Sequence, residues 1–87
     1  MRKKIVAGNW KMNLDKSSSD NLVKEILDLT KENKSTQIVL SPPFIYLQQI
    51  VKDCQSRSDI LIAAQNCNAN DNGAFTGEVS ANMLESI

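Results

Sequence analysis

An α/β fold built on a parallel sheet is predicted by three features of the sequence. Three short apolar runs, Lys4-Ile5-Val6-Ala7-Gly8, Gln37-Ile38-Val39-Leu40-Ser41 and Ile60-Leu61-Ile62-Ala63-Ala64, are near-continuous rather than alternating. That is how strands buried on both faces of a parallel sheet read. An amphipathic helical repeat fills the interval after the first run, and another fills the interval after the second. Strand, helix, strand, helix, strand then amounts to two consecutive right-handed βαβ units.

Each element has its own local justification. In the first helical interval Leu22, Val23, Ile26, Leu27 and Leu29 recur at helical spacing, while Lys24, Asp28, Lys31 and Glu32 fill the opposite side. Ser17 followed three residues later by Asp20 resembles a capping box and predicts the helix start. Asp20 and Lys24 stand in the favourable i,i+4 order. Ser41-Pro42-Pro43 ends the second strand, since a residue before proline is pushed from helical geometry. Pro43 is then expected at the first helical position, where its missing N–H costs nothing. Phe44, Leu47, Ile50, Val51 and Cys54 form the apolar face of this second helix, and the pattern fades in Gln55-Ser56-Arg57-Ser58.

Beyond the third run the character changes. Asn66-Cys67-Asn68-Ala69-Asn70-Asp71-Asn72-Gly73 is crowded with residues that tolerate turns and left-handed backbone. Ser80 to Ile87 reads as the beginning of a third helix with Ser80 as N-cap. The sequence stops before that helix would finish, which predicts a piece of a longer protein.

Composition removes several function classes. The chain has 87 residues, 10 Lys+Arg, 10 Asp+Glu, two Cys and no His. This length allows one small domain at most. A formal charge of zero argues against a broad nucleic-acid surface, which needs a basic stripe. No apolar run approaches the roughly 20 residues that span a bilayer, so no membrane partner is expected. Basic Met1-Arg2-Lys3-Lys4 precedes an apolar stretch too short for a signal-peptide core, and a cytoplasmic location with reduced, partly buried thiols is expected. Without histidine the chain cannot supply an imidazole base, a histidine metal ligand or a Ser/His/Asp triad. Cys54 and Cys67 alone are too few for a zinc site, and no metal is expected.

Lys11 is the sharpest candidate for chemistry. It lies just past the first strand, in Gly8-Asn9-Trp10-Lys11-Met12-Asn13, and ligands of parallel α/β folds sit outside the carboxyl ends of the strands. It reads either as the partner of an anionic substrate or as a solvated strand-end lysine. Asn9 and Gln65 occupy equivalent places after strands one and three. Their amides suit the orientation of a lysine or a substrate hydroxyl, and equally the satisfaction of turn backbone. Glu78 reads as a carboxylate base or as an acid placed by the dipole of the helix that follows.

Val6-Ala7-Gly8-Asn9-Trp10-Lys11-Met12-Asn13, Ser41-Pro42-Pro43 with Tyr46-Leu47, Ala64-Gln65-Asn66, and Gly73-Ala74-Phe75-Thr76-Gly77-Glu78-Val79-Ser80 occur in one order along the chain. Together they resemble the triosephosphate isomerase family. The resemblance implies that residues 1–87 are the N-terminal part of a single (β/α)₈ TIM-barrel domain, incomplete here, about a third of the roughly 250 residues such a barrel needs. It also implies interconversion of dihydroxyacetone phosphate and glyceraldehyde 3-phosphate without a cofactor. In the family a glutamate moves a proton between adjacent carbons, while a histidine and the lysine after strand one stabilise the enediolate. The family's asparagine and lysine fall on Asn9 and Lys11, and its strand-three glutamine, which supports that lysine, falls on Gln65. The glutamate and histidine belong to later segments. The family is homodimeric, and its interface loop falls on residues 66–79. Thr76 stands at the tip, flanked by Phe75, Gly77 and Glu78, and Met12 is the residue that faces the loop.

Two other readings compete. Residues 66–79 form a protein-interaction module without chemistry, or the chain is an open flavodoxin-like nucleotide-binding domain. The second is weakened by the missing Gly-rich turn after strand one.

Overall fold

The computed structural model describes residues 2–87. Its elements run β1 (Lys4–Asn9), α1 (Lys16–Leu29), β2 (Thr36–Ser41), α2 (Phe44–Cys54), β3 (Ile60–Ile62) and α3 (Ala81–Glu85). The three strands form one parallel sheet in the order β1-β2-β3. This sequential order disagrees with the flavodoxin-like arrangement, in which the second strand lies outside the first. It is the order of a barrel wall, each strand added beside its predecessor.

Register explains which side chains are covered. Val6 pairs with Ile38 and Ile38 with Ile60, while Gly8 pairs with Leu40 and Leu40 with Ile62. Partners in a parallel pair share a sheet face. On this face Leu40 and Ile60 join Val23 of α1 and Ile50 and Cys54 of α2 in the buried core, with Trp10, Ile26, Leu27, Tyr46 and Ile62 packed around them. The intervening row, Ala7–Val39–Leu61, points to the other side. Leu61 is 54% exposed there. Both helices therefore lie on one face, as two right-handed crossovers of the same sense require.

The helix boundaries correct several local expectations. Asp15, not Ser17, is the N-cap of α1: its carboxylate accepts from the Ser18 backbone N–H at 3.0 Å, and the Ser18 hydroxyl accepts from the Asp15 N–H at 3.0 Å. Ser18 thus takes the capping-box role that the sequence assigns to Asp20. Asp20 instead pairs back to Lys16 at 3.0 Å rather than forward to Lys24. Pro43 keeps an extended backbone (φ −56°, ψ 150°) and stands at the cap, one residue before the first helical position. Leu29, counted on the apolar face of α1, is 82% exposed, because regular helical spacing sets it about 120° round the helix from the buried Val23. β3 is also shorter than its apolar run, ending at Ile62, although Ala63 N–H still donates to Leu40 O at 2.9 Å. Ser80 does cap α3, accepting from Met83 N–H at 3.2 Å.

At the opposite end of the strands from Lys11, one arginine buckles three elements together. Arg57 Nη1 donates to Leu27 O at 3.0 Å and Nη2 to Thr30 O at 2.9 Å, capping the C-terminus of α1. The same guanidinium grips Asp59 through Nε at 2.8 Å and Nη2 at 2.9 Å. Asn33 completes the cluster, donating from Nδ2 to Asp59 Oδ2 at 2.8 Å and to Thr36 O at 2.7 Å. Arg57 first, then Asn33, hold the Asp59 carboxyl well below the usual carboxylate range.

Candidate functional site at the strand ends

The carboxyl ends of all three strands are tied together by backbone and amide hydrogen bonds. Trp10 N–H donates to Ser41 O at 3.1 Å, extending the β1–β2 ladder past Asn9. The chain then leaves the sheet through Lys11, whose φ of 59° is left-handed. For a non-glycine residue this conformation costs about 1–2 kcal/mol and needs support. Two side chains give it. Asn9 Oδ1 accepts from Lys11 N–H at 2.9 Å, and Gln65 Nε2 donates to Lys11 O at 2.9 Å. Gln65 Nε2 also donates to Ser41 O at 2.8 Å, so one amide from beyond β3 clasps both β1 and β2.

The rest of the β1–α1 loop is braced from within. Asn13 Nδ2 donates to Trp10 O at 2.8 Å, and Leu14 takes a second left-handed conformation (φ 75°) directly before the Asp15 cap. The loop is therefore a fixed turn. Lys11 is exposed, and among the described residues no carboxylate pairs with its Nζ. An ammonium held by its backbone at the ends of parallel strands, with no internal counter-charge, is suited to an anionic ligand.

Asn9, Lys11 and Gln65, identified separately in the sequence, thus converge on one turn. Asn9 and Gln65 act on the backbone of Lys11 and not on its ammonium. Sequence reasoning missed the Ser41 carbonyl, which accepts from both Trp10 and Gln65. No side-chain signal marks a main-chain acceptor.

Residues 66–79 form a loop closed at its base and exposed along its length. Asn68 N–H donates to Val79 O at 2.8 Å beside an isolated bridge between Asn68 and Ser80. Asn68 Nδ2 donates to Glu78 Oε1 at 3.0 Å, which gives Glu78 the role of clasping the loop base. Asn68 Oδ1 accepts from Asn70 N–H at 2.7 Å. Gly73 has φ +138°, and a Cβ there would stand 2.7 Å from the Phe75 ring, so the ring folds over a position only glycine fits. Phe75, Thr76, Gly77 and Glu78 are all exposed, and Met12, at the other candidate interface position, is 95% exposed. Cys67 is exposed as well, contrary to the expectation of two partly buried thiols; its position in a polar loop leaves it nothing to pack against. Among the described residues no group of three or more acidic, Cys or His side chains converges as a metal site would, and no helix is long and apolar enough to cross a membrane.

Sequential parallel strands with both helices on one face, and a backbone-held lysine at the carboxyl ends, define the chain as a segment of the β/α-barrel class. The triosephosphate isomerase family profile matches residues 4–87. The chain is 46% identical over its whole length to the triosephosphate isomerase of Flavobacterium psychrophilum, covering 34% of that protein. Over 97% of its length it is 48% identical to that of Chloroherpeton thalassium, covering 33%. Over 98% it is 44% identical to that of Legionella pneumophila, covering 34%. The chain belongs to the triosephosphate isomerase family, and it matches the N-terminal segment of its relatives. It spans about a third of the length of the curated relatives it matches.

Proposed function

We propose that these residues supply the lysine arm of a triose-phosphate isomerase site. In the complete barrel Lys11 and Asn9 bind the anionic triose phosphate, and the Lys11 ammonium stabilises the negative charge that builds on oxygen as the enediolate forms. Gln65 positions Lys11 through its main chain. The base that carries the proton between the two carbons, and the neutral donor opposite it, come from the remaining two thirds of the barrel. No histidine is available in this segment, so the 87 residues alone are inactive. Residues 66–79, with Thr76 at the tip, reach across a homodimer toward Met12 of the neighbouring copy. The working compartment is the cytoplasm.

The observation that carries this reading is the left-handed Lys11 held by Asn9 Oδ1 and Gln65 Nε2 in a chain of this family. A chimera tests it. Joining the 87 residues to the portion of the Flavobacterium relative that follows the matched third is expected to give an isomerase acting on dihydroxyacetone phosphate. A folded, soluble chimera without turnover would overturn the reading.

A further inference from the structure

The amino ends of the strands, opposite Lys11, hold a second group of cations without counter-charges. Lys3 stands at the entry to β1 and Lys34 in the turn between α1 and β2. Both line one open cavity of about 200 Å³, together with Ser35 and Ser58. A single water needs only about 10–15 Å³ of such space, so a phosphate group fits there. Lys3, Lys34, Ser35 and Ser58 are all exposed, and among the described residues no carboxylate pairs with either ammonium.

The walls of this cavity are fixed by side chains that do not themselves carry the free charge. Asn33 closes the first turn, accepting from Thr36 N–H at 3.3 Å and donating to Thr36 O at 2.7 Å. In the second turn Ser58 lies between Arg57 and Asp59, which hold each other at 2.8 and 2.9 Å. Gln37, only 9% exposed, donates to Asp59 O at 2.7 Å and fixes that turn to β2. Asp59 is the one acid on the lining, and Arg57 and Asn33 already engage both of its oxygens. The Arg57 guanidinium also covers Leu27 O and Thr30 O, carbonyls of the α1 C-terminus that would otherwise repel an anion. With Arg57 cancelling Asp59, the two positive charges of Lys3 and Lys34 remain. Two ammonium groups on one cavity repel each other, and a bound anion replaces that repulsion with charge-assisted contacts.

We propose that this cavity binds a small phosphate-bearing dianion, at a site separate from the strand-end site of Lys11. Lys3 and Lys34 meet its charge, and the Ser35 and Ser58 hydroxyls donate to its oxygens. A phosphate group has enough oxygens to take donors from both turns at once, whereas a carboxylate has two. The zero formal charge of the whole chain keeps this a local site and not a polyanion track.

The test follows the ¹⁵N amide shifts of Ser35 and Ser58 during titration with sodium phosphate, against sodium chloride at equal ionic strength. It is run on the 87-residue chain and again on the chimera, where the rest of the barrel is present. Saturable shifts in phosphate and none in chloride are expected in both. Lys3→Gln and Lys34→Gln are each expected to weaken binding about three- to tenfold, and the double variant to abolish saturation. Lys31→Gln, whose ammonium pairs with Asp28 at 3.7 Å outside the cavity, is expected to leave binding unchanged, as is Lys11→Met. A second arm uses glycerol 3-phosphate: tighter binding than phosphate assigns the site to a phosphorylated small molecule, and equal binding assigns it to the free ion. Shifts matched by chloride, shifts that never saturate, or equal effects of Lys31→Gln and Lys34→Gln would each overturn the proposal. Binding by the 87-residue chain that disappears in the chimera would overturn it too, by showing that the completed barrel fills the cavity.

Discussion

Replacing Gln65 with methionine removes both hydrogen bonds donated by one amide at nearly constant side-chain length. The bonds lost are those to Lys11 O at 2.9 Å and to Ser41 O at 2.8 Å. A net intramolecular hydrogen bond contributes about 0.5–1.5 kcal/mol. Gln65 is exposed, so water replaces part of each bond and the lower half of that range applies. The pair then contributes about 1–2 kcal/mol, which matches the cost of about 1–2 kcal/mol for a left-handed lysine. Without Gln65 the turn has no net reason to hold Lys11 at φ 59°. In the chimera, Gln65→Met is therefore expected to reduce kcat/KM about 5- to 30-fold. The pH–rate profile should be unchanged, because no group that transfers a proton is touched. Steady-state assays across pH provide the measurement. Parental kcat/KM in a correctly folded Gln65→Met chimera would refute the argument that the amide holds the lysine.

Three further outcomes follow from other parts of the chain. Ser19 Oγ is fully buried without a hydrogen-bond partner among the described residues, so Ser19→Ala is expected to stabilise the chain by about 1 kcal/mol; a lower urea midpoint would contradict this. Cys67 is exposed, whereas Cys54 is buried and its thiol is pushed up by that burial, so a disulfide reagent should label one thiol rapidly and the second only on denaturation. Equal rates for both would contradict the packing of α2. Asp59 is held below its ordinary value by Arg57 and Asn33, so its contribution to stability is present above the unfolded carboxyl pKa near 4 and fades as pH falls below it. Asp59→Asn should flatten acid unfolding between pH 5 and 2, and an unchanged acid limb would assign the transition to other carboxylates.

Strand existence was legible because Ile38-Val39-Leu40 and Ile60-Leu61-Ile62 are continuous β-branched and aliphatic runs that no amphipathic helix explains. Helix starts were less legible. Asp15 and Ser17 are both good caps, and the left-handed Leu14 before Asp15 decides between them, a backbone choice that no residue type announced. The site was visible as Asn9, Lys11 and Gln65 because strand ends are where parallel folds bind ligands. Their actual wiring, through Lys11 N–H, Lys11 O and Ser41 O, uses main-chain groups that every residue carries. Arg57 shows the same limit: it falls where the α2 pattern fades, and only the tertiary approach of Leu27 O and Thr30 O makes it a helix cap.

Whether Lys11 faces an anion is measured most directly by the affinity of the chimera for a phosphorylated mimic of the enediolate, with and without Lys11→Met. Loss of one unpaired ammonium that meets developing charge is expected to weaken binding of the mimic at least a hundredfold and to lower kcat/KM by a comparable or larger factor. The matched control is the neighbouring Asn13→Ala, which loosens the turn at Trp10 O without removing charge and should cost far less. Near-parental affinity for the mimic in a folded Lys11→Met chimera would show that Lys11 is a solvated strand-end lysine and would contradict the account.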